Sequence, residues 1–365
     1  MKKMNLCYLF LIAATVSFAQ IPTGYYNTAT GTGYTLKTNL YNIIKNHNAQ
    51  TYGDLWTLYT NTAFRDHYYE NDNSLLDVYS EKPNGPDAYS YTSTSQQCGS
   101  YSGEGGCYNR EHTIPQSVFN SQLPMYSDGH FVIPSDGYVN GIRSNYPYGK
   151  VGTATYTSSN GSKKGNNLNS GYSAGYTGVV FEPIDEFKGD IARCLFYFAT
   201  RYQDVVSGFT YDMFNGSSDQ VFTNTFLNIL IKWHLDDPVS AYEIAKNNAV
   251  YVHQNNRNPY IDHPEYICMI WGTQCAALAN ENFVATNQEI TIYPNPTSQN
   301  FVTINSALSV NDIEVYAVNG QLIQAIHQPA FDNNEYQLNN LSSGFYLIKI
   351  SLENGSSVLK KVIVN

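Results

Sequence analysis

The segment Asn109-Arg110-Glu111-His112-Thr113-Ile114-Pro115-Gln116-Ser117 sets a carboxylate beside an imidazole, and Asp128 to Tyr148 supplies further polar groups a short distance downstream. Hydrolysis of a phosphodiester needs an activated water, positive charge at the phosphorus and help for the leaving oxygen. His112 suits the role of general base, because imidazole titrates near neutrality. Glu111 offers a hard oxygen ligand for Mg²⁺, with Ca²⁺ or Mn²⁺ as alternatives. Ser135-Asp136 can cap a helix carrying Asn140 and Arg143, three residues apart and therefore on one face. Asn140 is then a second metal ligand and Arg143 a phosphate clamp. One ion bound by Glu111, Asn140 and waters is chemically sufficient, since Mg²⁺ keeps several waters.

The bland reading of these residues is that a Glu-His pair is common on surfaces and that Asn140-Gly141 marks a turn. Geometry adds a condition. Adjacent strand residues point to opposite faces, so Glu111 and His112 can share a site only if their strand ends or bulges there. Pro115, just beyond, favours an irregular end.

The elements that must position this set are mostly helical. Leu36, Leu40, Ile43 and Ile44 recur at helical spacing. Tyr52 to Tyr69 reads as a second helix and Leu75 to Tyr79 as a strand. Asp185 to Tyr202 carries the stripe Phe187, Ile191, Leu195 and Phe198, and Phe222 to His234 is a further helix. Asp237-Pro238 reads as the start of a helix running to Gln254. From Ile290 the pattern changes to short alternating strands, with Asn319-Gly320 as a hairpin turn. The fold expected is α+β: a mainly helical domain over residues 21–280, a linker at 281–289 and a small all-β sandwich over 290–365.

Residues 1–20 have two Lys, an apolar run and a closing Ser17-Phe18-Ala19, the pattern of a secretory signal. Cys7 lies inside it. Five cysteines follow, in what export makes an oxidising setting. Cys98 with Cys107 and Cys268 with Cys275 are short-range pairs expected as disulfides; Cys194, in an apolar helical run, is expected as a buried thiol. CxxC spacing is absent, which excludes the usual zinc clusters. The net charge is −10, whereas nucleic-acid binders are usually basic. A catalytic cleft needs only local positive charge, which the basic residues from Arg143 to Arg201 can supply.

The block from Asn109 to Ser117, followed by DGHFVIPSDGYVNGIRSN, resembles the bacterial endonuclease I family, secreted nucleases with a His-Me finger (ββα-metal) site. The similarity continues in FEPIDEFKGDIARCLFYFATRY, WHLDDPVSAYE and QNNRNPYIDHPE, so it spans most of residues 50–275. The resemblance implies His112 as general base and Glu111 and Asn140 as metal ligands. It aligns His130 with the histidine of the family's D-L-H-N strand, where this chain has Asp128-Gly129-His130-Phe131. Some relatives place a phosphate-contacting Arg between these blocks; residues 113–129 hold none, so Arg143 or Arg193 is the candidate clamp. Arg193 and His130 are read as substrate contacts. The tail, with Tyr293-Pro294-Asn295-Pro296, IEVYAVNGQLI, LSSGFYLIKI and KKVIVN, resembles a type IX secretion sorting domain.

The combined expectation is a secreted or cell-surface, metal-dependent endonuclease that acts on DNA, and on RNA as a second substrate, with little sequence specificity. The family implies 5′-phosphate products. A monomer is expected, exported through the type IX machinery by residues 290–365, with no membrane-spanning segment. A rival from another class is a noncatalytic surface adhesin or nucleic-acid-binding protein that kept the fold; intact Glu111, His112 and Asn140 argue against it. A zinc peptidase would need His-Glu-x-x-His, which is missing.

Overall fold

The computed structural model describes residues 21–278, 290–317, 321–352 and 357–365. The expected signal, the linker at 281–289 and the Asn319-Gly320 turn lie outside the described residues. By internal contacts the chain divides into two compact units, with the boundary after Cys275.

The first unit is built on α4 (Lys188–Arg201), every residue of which is buried. Packed against it are α1 (Gly33–Ile44), α5 (Asn224–Asp236) and α7 (Pro259–Asp262). Two further helices, α6 (Ala241–Gln254) and α8 (Glu265–Ile270), lie on α7. The stripe Phe187, Ile191, Leu195 and Phe198 is fully in the core. A two-stranded antiparallel sheet pairs β1 (Tyr108–His112) with β2 (Val132–Asp136), in regular register from Tyr108↔Asp136 to His112↔Val132. The short helix α3 (Gly137–Arg143) follows β2 directly. A three-stranded antiparallel sheet holds β3 (Val151–Thr157), β4 (Lys163–Asn167) and β5 (Val179–Glu182).

Three local expectations are corrected. The helix read over Tyr52 to Tyr69 stops early: α2 covers only Asp54–Leu58. The Thr60 hydroxyl donates to the Thr57 carbonyl, and Asn61 accepts from the Ala63 amide to start a separate 3₁₀ turn at Thr62–Phe64. Side chains of this kind offer the backbone local alternatives to helix. Leu75 to Tyr79 is not a strand, apart from one bridge between Arg65 and Leu75. The Asp77 carboxylate accepts from the Tyr79 amide and bends the chain into a turn. Finally, α6 starts at Ala241, capped by Ser240, which forms a capping box with Glu243. Asp237 serves α4 instead, accepting from the Gly189 amide at 2.7 Å.

Both expected disulfides are closed, Cys98–Cys107 and Cys268–Cys275. Cys194 is a buried free thiol. Among the described residues no helix is long and apolar enough to cross a membrane.

The second unit is all-β. One antiparallel sheet holds β6 (Ile290–Tyr293), β7 (Val302–Ser306) and β10 (Glu335–Leu338), in the order β10-β7-β6. The other holds β8 (Val310–Ala317), β9 (Leu322–His327), β11 (Gly344–Leu352) and β12 (Ser357–Val364), in the order β12-β11-β8-β9. Alternate residues of both sheets, among them Ile304, Ile313, Val315, Ile348 and Ile350, form one apolar core. That is the burial expected of period-two strands with one face inward.

Candidate active site

The end of β1 and the adjoining face of α3 line a pocket of about 280 Å³. Glu111, His112, Asn140 and Arg143 all lie on its wall, with Arg110, Tyr52 and Gln116. The geometric condition is met by termination: β1 ends on His112, with no register shift before it. α3 is aimed by its cap, since the Asp136 carboxylate accepts from the Val139 amide at 2.7 Å. The same side chain accepts from Tyr91 and the Gly105 amide, fastening the loop closed by Cys98–Cys107 beneath β1.

His112 is held by a stacked ring and at one nitrogen. Nε2 lies 3.1 Å from the backbone carbonyl of Tyr126. A carbonyl only accepts, so Nε2 carries a proton. Burial lowers the imidazole pKa to about 4, with Arg110 and Arg143 acting in the same direction and the Tyr126 carbonyl against them. The ring is therefore neutral at neutral pH, and its lone pair is on Nδ1. The Tyr126 ring stacks on His112 at 5.4 Å between centroids, and Tyr52 stacks on Tyr126 at 3.9 Å. Two residues after Tyr126, the Asp128 carboxylate accepts from Tyr197, Tyr202 and Gln254 on and beside the core helices.

Glu111 is almost fully buried. Its Oε1 accepts from Tyr79 at 3.1 Å and Tyr148 at 2.7 Å, and lies 3.2 Å from Arg143 Nη1. Burial raises its pKa, against Arg143 and the two phenols. No hydrogen bond engages Oε2 among the described residues. The Asn140 amide nitrogen donates to the Arg110 carbonyl at 3.3 Å, which leaves Oδ1 as a free acceptor. One free carboxylate oxygen and one free amide oxygen in a polar pocket are the hard donors that Mg²⁺ or Ca²⁺ prefers. The residues present fit such an ion.

The arginines sort differently from the sequence reading. Arg143 lines the pocket, but it donates to the carbonyls of His112 at 2.8 Å and Thr113 at 2.6 Å and pairs with Glu111. Its guanidinium ties the end of β1 to α3. Arg193 is not brought to the pocket. It is completely buried in α4, with Nε 2.6 Å from Glu243 and Nη2 3.4 Å from Asp190. His130 is not brought there either: its Nε2 bonds to the Asn256 carbonyl at 3.0 Å inside the core. Arg110 is in the pocket instead. Its guanidinium stacks 3.4 Å above the Tyr52 ring and 4.1 Å from the Trp56 ring, with one bond to the Tyr52 carbonyl. No carboxylate pairs with it among the described residues. Strand parity could have found it, because residues two apart on a strand share a face, and Arg110 is two before His112.

Comparison with known proteins gives the family of each part of the chain. The family model for Endonuclease I matches residues 32–265, and the model for the secretion system C-terminal sorting domain matches 291–365. An extracellular ribonuclease of Bacillus amyloliquefaciens is 31% identical over 253 residues, covering 68% of this chain and 78% of that protein. An extracellular ribonuclease of Bacillus subtilis (strain 168) is 31% identical over 269 residues, covering 72% and 83%. Among solved structures, PorZ, a surface component of the type-IX secretion system of Porphyromonas gingivalis, overlaps 22% of this chain at 18% identity with a TM-score of 0.19, too slight a likeness to define a fold. The chain belongs to the endonuclease I family. It is a nuclease, and its tail is a sorting domain for type IX secretion to the cell surface or beyond.

Proposed function

We propose that this chain is a metal-dependent endonuclease that hydrolyses DNA and also RNA with little sequence specificity, leaving 5′-phosphate ends. In this reading β1, β2 and α3 form a ββα-metal (His-Me finger) core. The observation that carries it is the state of His112. A neutral ring pinned through Nε2 presents Nδ1 as a base in the pocket shared by Glu111 and Asn140.

His112 takes a proton from water at Nδ1, and the Tyr126 carbonyl steadies the imidazolium that results. Glu111 and Asn140 would hold one Mg²⁺, which would supply positive charge at the scissile phosphate when bound. Tyr79, Tyr148 and Arg143 keep the Glu111 carboxylate in one orientation. Arg143 acts as a positioning residue, since its Nη groups are spent on the protein. Arg110 is the guanidinium left to meet a phosphate. Both Bacillus relatives are extracellular ribonucleases, which favours RNA as a substrate beside DNA.

The test is cleavage of supercoiled plasmid and of a structured RNA, each with Mg²⁺ and with EDTA. Cleavage of both, stopped by EDTA, supports the reading; EDTA-resistant cleavage overturns the metal dependence. An RNA left intact restricts the substrate to DNA.

A further inference from the structure

Outside the active site, one carboxylate among the described residues is buried with both oxygens unpartnered. Glu81 is 1% exposed, and neither of its carboxylate oxygens makes a hydrogen bond. It does not sit among apolar side chains alone. An oxygen each of Asp66, Glu70 and Glu81 lie within 4.8 Å of one another. Asp66 is fully buried, and its oxygens accept from the amides of Tyr68, Tyr69 and Asn71, which wraps the chain from 66 to 71 around it. Asp87, fixed by the Lys82 amide at 2.7 Å, adds a further negative charge to the same locus. None of these four carboxylates is ion-paired among the described residues.

A buried carboxylate with nothing to hydrogen-bond and like charges beside it is costly. In the absence of a cation it must hold a proton. Burial first, then Asp87, Glu70 and Asp66, push Glu81 up to about 9, and burial with Glu70, Asp72 and Asp66 pushes Asp87 up to about 6. The same negative potential that retains a proton attracts a metal ion.

We propose that Asp66, Glu70 and Glu81 form a structural calcium site, separate from the pocket of Glu111 and Asn140. The donors are all carboxylate oxygens, with no His or Cys, so a hard cation is favoured over zinc. Three carboxylates with waters suit Ca²⁺, which takes about 6–8 oxygens in flexible geometry, better than Mg²⁺, which is usually held by one or two carboxylates. The site has a structural consequence. Glu81 closes the turn that begins at Asp77, its amide bonding the Asp77 carbonyl at 3.0 Å. The same turn carries Tyr79, whose hydroxyl bonds Glu111. Calcium at Glu81 thus braces a support of the active-site carboxylate. Only this last link rests on the nuclease reading; the site itself does not.

Thermal unfolding of the full chain, in EGTA and with CaCl₂, tests the site without using activity. Calcium about 100-fold above its dissociation constant should raise Tm by about 5–10 °C. Asn140→Ala, which weakens the active-site pocket, should keep that rise. Glu70→Gln, on the surface, should lose most of it. Glu81→Gln should lose it and should also melt higher than wild type in EGTA, because an amide needs no proton taken up when it is buried. An unchanged calcium response in Glu70→Gln and Glu81→Gln overturns the proposal, as does a response lost in Asn140→Ala and retained in both. If Glu81→Gln does not fold, Glu70→Gln decides. Plasmid cleavage by the same proteins reports separately on the active site.

Discussion

His112 Nε2 lies 3.1 Å from the Tyr126 carbonyl, and the two rings stack within 10° of parallel. This pairing turns an ordinary histidine into a directed base. The hydrogen bond sets the tautomer, and the stacking fixes the ring plane. His112→Ala should therefore reduce plasmid cleavage by about 10²–10⁴-fold, the usual contribution of general-base catalysis. The far-ultraviolet circular dichroism should be unchanged. A variant that nicks at the wild-type rate removes His112 from the mechanism.

Arg143 and Arg110 should separate in kind. Arg143→Ala leaves Glu111 buried without its cation and two carbonyls without donors. Loss of one partner of a buried pair costs about 3–5 kcal/mol, so Tm and turnover should fall together. Arg110→Ala should lower Tm less, through its lost stacking on Tyr52 and Trp56, raise KM and reduce the salt dependence of nucleic-acid binding by about one unit of slope. Equal Tm losses in the two variants would contradict this division of roles.

Asn140→Ala removes one of two protein oxygens from the proposed ion site. Titration of activity with MgCl₂ should show a higher midpoint, with the maximum approached at excess metal. Superimposable titrations for variant and wild type would place the ion elsewhere.

The pH dependence of folding should expose His130. Burial lowers its pKa to about 4, against Asp128, while the unfolded chain titrates near 6.5. A depressed histidine contributes stability above the unfolded value and loses it as pH falls through 6.5 towards 4. Relative to His130→Gln, wild type should lose on the order of 3 kcal/mol over that window. Urea unfolding of both proteins at pH 7 and pH 4.5 measures it; a pH-independent difference would mean that the ring titrates alike in the folded and unfolded chains.

The tail should be separable. A chain ending near Asn280 should fold and keep full turnover, because the pocket is lined entirely by residues 52–145. In a host with the type IX machinery, removing residues 290–365 should retain active enzyme in the cell envelope, as fractionation would reveal. Normal release into the medium without the tail would rule out its sorting role.

What the sequence determined by itself was whatever local periodicity and side-chain type control. The buried stripe of α4, the cap of Asp136 on α3, the short-range cysteine pairs and the alternating tail were all legible, because each depends on neighbours a few residues away. So were Glu111, His112 and Asn140 as a group, through a motif carried over from a family. Only the tertiary structure decided what lies far apart in sequence. The stop after Leu58 and the turn at Asp77 came from side chains competing for their own backbone, which periodicity does not register. Arg193 carries the same charge as Arg110, but burial beside Glu243 consumes it, whereas stacking on Tyr52 and Trp56 leaves Arg110 in the pocket. The tautomer of His112 rests on a carbonyl, a group every residue has, so nothing in the side chain of Tyr126 announced it. The orphaned carboxylate of Glu81 is likewise a property of its surroundings, since a glutamate in a sequence has no stated depth.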